Sequence, residues 1–137
     1  MGAESILILL FVTKHLIFDW WLQPAWMAFE KHDMRKKGGY VHAGLNVVGS
    51  VLAIYTFPFV AIVVFGLELP TSTIPLAVIG LLLLGEFVSH YLMDFTKMNV
   101  SRKMGWKCNE HQAFWNWTGF DQWFHMMYLV FMAGMIA

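Results

Sequence analysis

The chain has 137 residues, of which 58% are hydrophobic and only 13% charged, with nine basic side chains balanced by nine acidic ones. So low a charged fraction, against the ~25% usual in soluble domains, points to a membrane-embedded chain of one domain. Zero net charge, with no basic strip interleaved with aromatics, excludes nucleic acid as an expected partner, and a single cysteine, Cys108, excludes an intramolecular disulfide.

The predicted fold class is all-α: an integral membrane four-helix bundle forming a single domain over 1–137. Its spans lie near 5–22, 40–65, 74–95 and 119–137, each about the 20 residues that cross a bilayer. The first span follows "MGAES", which has an acid where a secretion signal carries basic residues, and no small-residue cleavage pattern comes after it. It is therefore expected to be retained. It carries His15, Asp19 and Gln23 at four-residue intervals, with Lys14 beside them. Its eleven Leu, Ile, Phe and Val residues gain roughly 3 to 7 kcal/mol on insertion, against roughly 5 to 7 lost to Lys14 and Asp19. Alone it is marginal, so its polar stripe must face other helices.

The first loop, "PAWMAFEKHDMRKKGG", holds Lys31, His32, Arg35, Lys36 and Lys37. The second span opens "YVHAGLN", with His42 and Asn46 one turn apart. Its small residues Ala43, Gly44, Gly49, Ser50 and Ala53 suit close helix approach, and Pro58 is expected to kink it. "GLELPTST" joins it to the third span without lysine or arginine. That span carries Glu86, His90 and Asp94, again at four-residue spacing. In the third loop lie Lys97, Arg102, Lys103 and Lys107, and "CNEH" sets Cys108 near His111; two such groups do not make a zinc site, and a solvated loop is expected. The aromatic "QAFWNWTGF" is expected along the membrane surface, before a fourth span with Asp121, Gln122 and His125.

Lysine and arginine crowd the first and third loops, which by the positive-inside rule face the cytoplasm and leave both termini on the other side. All seven tryptophans (20, 21, 26, 106, 115, 117 and 123) gather around those loops, as an interfacial aromatic belt would. The expected location is the inner membrane, multi-pass. The bilayer, with anionic lipid headgroups at the basic loops, is the expected partner.

Residues four apart on a helix share a face. The first and third spans run histidine to aspartate toward the cytoplasm, whereas the fourth, which runs the other way, meets its aspartate first. All three pairs therefore stack at matching depths, with Asp19, Asp94 and Asp121 in one layer and His15, His90 and His125 about 6 Å deeper. His42 falls near the acidic layer and Asn46 near the imidazoles. Three carboxylates in one semi-buried layer repel unless protonated or neutralised by a cation. Mixed imidazole and carboxylate ligation suits a divalent metal, zinc first and manganese or iron as alternatives. The expected metal ligands are His15, Asp19, His90, Asp94, Asp121 and His125. His42 serves as ligand or acid/base, and Glu86 as general base or else as the partner of Lys14. Gln23, Asn46 and Gln122 supply supporting contacts. No nucleophile elbow, phosphate-binding glycine loop or HExxH motif occurs, so metal-activated water is the natural chemistry.

"HLIFDWWLQPAWMAFEK", "HAGLN", "SHYLMDFTK" and "FDQWFH" together resemble the ordered motifs of a family of small bacterial and phage inner-membrane proteins catalogued as domain of unknown function 3307. The likeness spans nearly the whole chain, through His15, Asp19, Leu22, Gln23, Trp26, Met27, Lys31, His42, His90, Asp94, Lys97, Asp121, Gln122 and His125. More remotely, the H-x3-D pattern is similar to LexA-regulated membrane-bound metal-dependent hydrolases, zinc-dependent phospholipase C and the related nucleases. That likeness implies hydrolysis of a phosphoester or lipid headgroup. The soluble members of that group, phospholipase C and the nucleases, also use an N-terminal tryptophan ligand and more histidines, so a full trinuclear zinc centre is not expected. The competing reading is an accessory or scaffold subunit, in a homo-oligomer or larger membrane complex, whose polar cluster only locks helices together. A transport path is disfavoured, because the outer halves "SILILLFV" and "IVVFG" offer almost no polar route.

Overall fold

The computed structural model describes residues 2–69 and 74–137, and every regular element among them is helical. Residues 70–73, expected in the middle loop, lie outside the described residues.

Helix α1, Ala3–His15, continues into a π-helical turn over Leu16–Trp21. The wider π turn aims Asp19 inward while leaving Trp20, Trp21 and Leu22 exposed, and the chain then breaks at Pro24. The segment after Pro24, expected as loop, contains a short helix α2, Ala25–Glu30. The Glu30 carboxylate accepts the backbone N–H of Gly38 at 3.0 Å, satisfying one of the free donors at the start of helix α3, Gly38–Phe59. Pro58 lies within α3, where it cannot donate to the preceding turn, and the ladder passes into a second π turn over Val60–Val64.

Helix α4, Leu76–Lys103, outruns the expected end at 95 by two turns, because "TKMNVSRK" contains no helix breaker. It stops at Gly105, where φ is 68°; Trp106 donates to the Ser101 carbonyl at 2.9 Å, and Arg102 and Lys103 complement the helix dipole in the last turn. Helix α5, Gln112–Ile136, absorbs "QAFWNWTGF", which is the first part of this helix rather than a separate surface segment. The mixed polar and aromatic residues there read as interface, yet nothing among them ends a helix.

The four long helices pack in a ring, α1 on α3, α3 on α4, α4 on α5 and α5 back on α1. Paired contacts such as Asp19 with His42, Ser50 with Glu86 and Lys97 with Asp121 make each neighbour antiparallel to the next. The interior has two ends. One is apolar, filled by Ile6, Leu7, Phe11, Phe57, Leu82 and Met132 with small residues between them. The other buries Asp19, His42, His90, Asp94, Asp121 and His125.

Outside, the pattern is inverted: Tyr55 is 83% exposed, Leu76 81% and Trp21 74%. Two helical stretches, Gly38–Val64 and Leu76–Lys103, are long and apolar enough to cross a membrane by length and composition, and only 28% and 17% of their apolar windows are buried inside the protein. Covered core helices of a soluble domain would show the opposite.

Candidate metal centre

Each face of the ring delivers its polar residues to the same point. The tip of α1 and its π turn contribute His15 and Asp19, the first turns of α3 contribute His42 and Asn46, the middle of α4 contributes His90 and Asp94, and α5 contributes Asp121, Gln122 and His125.

Two groups of ligand-type atoms result, (Asp19, His42, His90, Asp94) and (Asp94, Asp121, His125), all buried and each lying within a 4.8 Å span. In the first, His42 Nε2 stands 2.7 Å from Asp19 Oδ1, 2.9 Å from His90 Nε2 and 3.3 Å from Asp94 Oδ2. His90 Nε2 stands 3.3 Å from Asp19 Oδ1 and 3.4 Å from Asp94 Oδ2. A tetrahedral zinc with bonds of about 2.0 to 2.1 Å needs donor separations of about 3.3 to 3.4 Å. The donor atoms are thus spaced as the corners of such a shell, slightly contracted. Two imidazole Nε2 atoms facing each other and two carboxylate oxygens have at most one neutral-state proton each to share among themselves, whereas one cation satisfies all four.

The second group is looser. His125 Nε2 lies 3.2 Å from Asp121 Oδ1 and 4.0 Å from Asp94 Oδ1, and its ring stacks on His90 with centroids 3.9 Å apart. Neither His125 Nε2 nor Asp121 Oδ1 has a hydrogen-bond partner, although both are buried, and Asp94 Oδ2 has none beyond its ion pair with Lys31. Orphaned polar atoms that converge are a fit for a ligand, and the donor chemistry is that of a divalent transition metal. Asp94 turns one oxygen to each group.

The supporting residues are ordered. Gln122 Nε2 donates to Asp19 Oδ2 at 3.2 Å and to Asp121 Oδ2 at 3.1 Å. Its Oε1 sits 3.0 Å from His15 Nε2 and accepts from Trp20 Nε1 at 3.2 Å. His15, expected as a ligand, belongs to neither donor group: it lies 3.5 Å from Asp19 Oδ2 and holds Gln122. Asn46 Nδ2 lies 3.4 Å from the Nε2 atoms of both His42 and His90.

Glu86 does not join the cluster. It pairs with Lys14, whose Nζ also donates to the Asn46 carbonyl at 3.1 Å, and accepts the Ser50 hydroxyl at 2.9 Å. Between it and His15, His90 and His125 lies a cavity of about 10 Å³, the size of about one water. Of its two expected roles, the structure gives Glu86 the lysine partner. His32, His111 and Cys108 lie apart from both groups, in the connections.

Two lysines that the sequence placed in the basic loops are instead inside the site. Lys31, at the end of α2, is 5% exposed and its Nζ lies 2.8 Å from Asp94 Oδ2, out of line for a hydrogen bond. Lys97 donates to Asp121 Oδ2 at 2.6 Å and stands 3.7 Å from Asp94 Oδ1. Both stand in the motifs that carry the family resemblance, and Lys97 also falls three residues after Asp94, on the same helical face. Spacing gave no such signal for Lys31, because its burial depends on how α2 folds back under the bundle.

A cleft of about 330 Å³ opens beside the cluster, with Asp19, Lys31, Lys97 and Gln122 among its lining. Among known proteins, the family model DUF3307, described as a protein of unknown function, matches residues 6–137. No curated protein matches the chain. No solved structure matches it either.

Proposed function

The chain belongs to the DUF3307 family, and from that premise we propose that it is a multi-pass inner-membrane protein that holds a divalent metal, zinc first, and hydrolyses a phosphoester or lipid headgroup at the cytoplasmic face. In this reading all four long helices cross the bilayer with both termini outside, and Asp19, His42, His90 and Asp94 hold the ion. Asp121 and His125 extend the centre through the shared Asp94. The exposed apolar exterior supports the membrane placement, because lipid, unlike water, does not penalise it.

The observation that carries the reading is the spacing of four buried donor atoms from three helices at 2.7 to 3.4 Å. A divalent ion there would supply a Lewis acid and, in a fifth position beside the four protein donors, would make a water acidic enough to act near neutral pH. Gln122 holds Asp19 and Asp121 in place by hydrogen bonds. The test is elemental analysis of detergent-purified protein beside Asp94→Asn and His90→Ala. Stoichiometric zinc, manganese or iron is expected in the wild type and its loss in both variants; equal metal in all three refutes the assignment.

One observation favours a second, non-enzymatic reading, that of an accessory subunit with a structural cluster: Lys31 and Lys97 already neutralise Asp94 and Asp121. That reading expects a folded, metal-free wild type bound to a partner in the membrane.

A further inference from the structure

The cleft beside the cluster is more specific than a generic opening. Its inner end carries Asp19, Lys31, Lys97 and Gln122, while Trp20, Phe114 and Trp115 stand in its walls. At about 330 Å³ it falls at the small end of ligand pockets, which run from about 300 to 1,000 Å³. Gln23 also lines it, with an Oε1 that is buried and unpartnered.

Charge identifies the occupant. With the histidines neutral, as metal ligands must be, Asp19, Asp94 and Asp121 face Lys31 and Lys97, leaving one negative charge. The Lys14 and Glu86 pair is self-neutral and contributes nothing. One divalent ion in the four-donor site turns this balance to a single positive charge at the cleft's inner end, in a low-dielectric setting where it demands an anion. That ion also competes with the two lysines for Asp94, whose oxygens lie 2.8 Å from Lys31 and 3.7 Å from Lys97. Freed in part from Asp94, the Lys31 ammonium can turn to a ligand in the cleft, and Lys97, which keeps Asp121 at 2.6 Å, can share its remaining protons with the same ligand. Metal and two lysines make three points of attachment, which suits the three free oxygens of a phosphate monoester better than the two of a diester or a carboxylate.

We propose that this cleft is the binding site for a phosphate ester, held by Lys31 and Lys97 against the metal, with its organic group among Trp20, Phe114 and Trp115. The assignment rests on the metal-centre reading and names its substrate class. The same monoester chemistry is offered by a phosphatidic acid headgroup entering from the interface and by a soluble phosphate monoester.

The experiment uses the full chain in nanodiscs of phosphatidylcholine, loaded with zinc and assayed for metal by elemental analysis before each titration. Calorimetry then measures binding of sn-glycerol 3-phosphate, of glycerate as the carboxylate control, and of dihexanoyl phosphatidic acid. Saturable binding of a phosphate probe is expected, with glycerate weaker. Thr118→Trp, which narrows the cleft from α5 and replaces none of the donor residues, is expected to keep its zinc and to lose at least roughly tenfold in affinity. Lys97→Gln is expected to lose a similar factor through the missing charge-assisted contact. Tighter binding of the phosphatidic acid than of glycerol phosphate assigns the lipid source, and equal or weaker binding assigns the soluble one. If zinc is stoichiometric but neither phosphate binds, or Thr118→Trp binds like wild type, or glycerate binds as well, the cleft assignment is overturned while the metal centre stands. If no zinc is held, the metal centre falls, and this assignment with it.

Discussion

Lys14 and Glu86 meet where the apolar half of the bundle gives way to the polar half, both at most 5% exposed. Their charges are mutually compensated, and the Ser50 hydroxyl and the Asn46 carbonyl complete the contacts. Removing one member leaves a buried charge unpaired, which typically costs about 3 to 5 kcal/mol, whereas removing both can be nearly neutral. Lys14→Met and Glu86→Gln are each expected to destabilise the protein by that amount, and the double variant to recover most of it, in unfolding titrations from detergent. Additive losses would refute the pair as a structural unit. The same scale shows what a sequence conveys about single residues. The spacing of His90 and Asp94 fixes a shared face whatever the fold, so it could be read directly. The burial of Lys31 could not: a loop lysine looks solvated until the chain around it is placed.

At the scale of the helix, small residues decide how closely neighbours approach, the more so in the proposed bilayer setting, where lipid would supply no hydrophobic force between helices and packing would have to do so. The sequence offers Gly44 and Gly49 alike as sites of close approach, but only one of them is. A Cβ at Gly49 would lie 2.7 Å from the Phe18 ring at the α1 contact, whereas one at Gly44 would meet nothing within 4 Å. Gly49→Ala is therefore expected to cost about 1 to 3 kcal/mol through overpacking. Gly44→Ala is expected to be neutral or to stabilise by up to about 1 kcal/mol through helix propensity. Unfolding free energies of the two variants check the contrast, and a reversed order would contradict the α1 to α3 packing. The number of long helices was legible from the lengths of the apolar runs, and their polar stripes from the four-residue spacing. The π turn over Leu16–Trp21 was not, since an apolar run gives the same signal in either helical form. Nor was the early start of α5, whose first residues are composed like an interface segment.

For the molecule as a whole, the proposed orientation has a built-in reporter. Cys108 is the single cysteine, is exposed, and lies in the connection between α4 and α5, at the end that carries the donor cluster. A membrane-impermeant maleimide should label it in inverted inner-membrane vesicles and leave it unmodified in intact cells with permeabilised outer membranes; the converse pattern would reverse the orientation. The hydropathy of the helices is uneven, since among the described residues only the α3 and α4 stretches are apolar and long enough to cross a membrane by themselves. In a bilayer this imbalance prescribes an order of assembly. The hairpin of α3 and α4 would partition first, already presenting His42, His90 and Asp94 on its inner side, and would offer the Asp19 and Asp121 segments the polar company that makes their own entry favourable. Biogenesis of the protein would then be templated by its middle, with the outer two helices recruited rather than inserted on their own account.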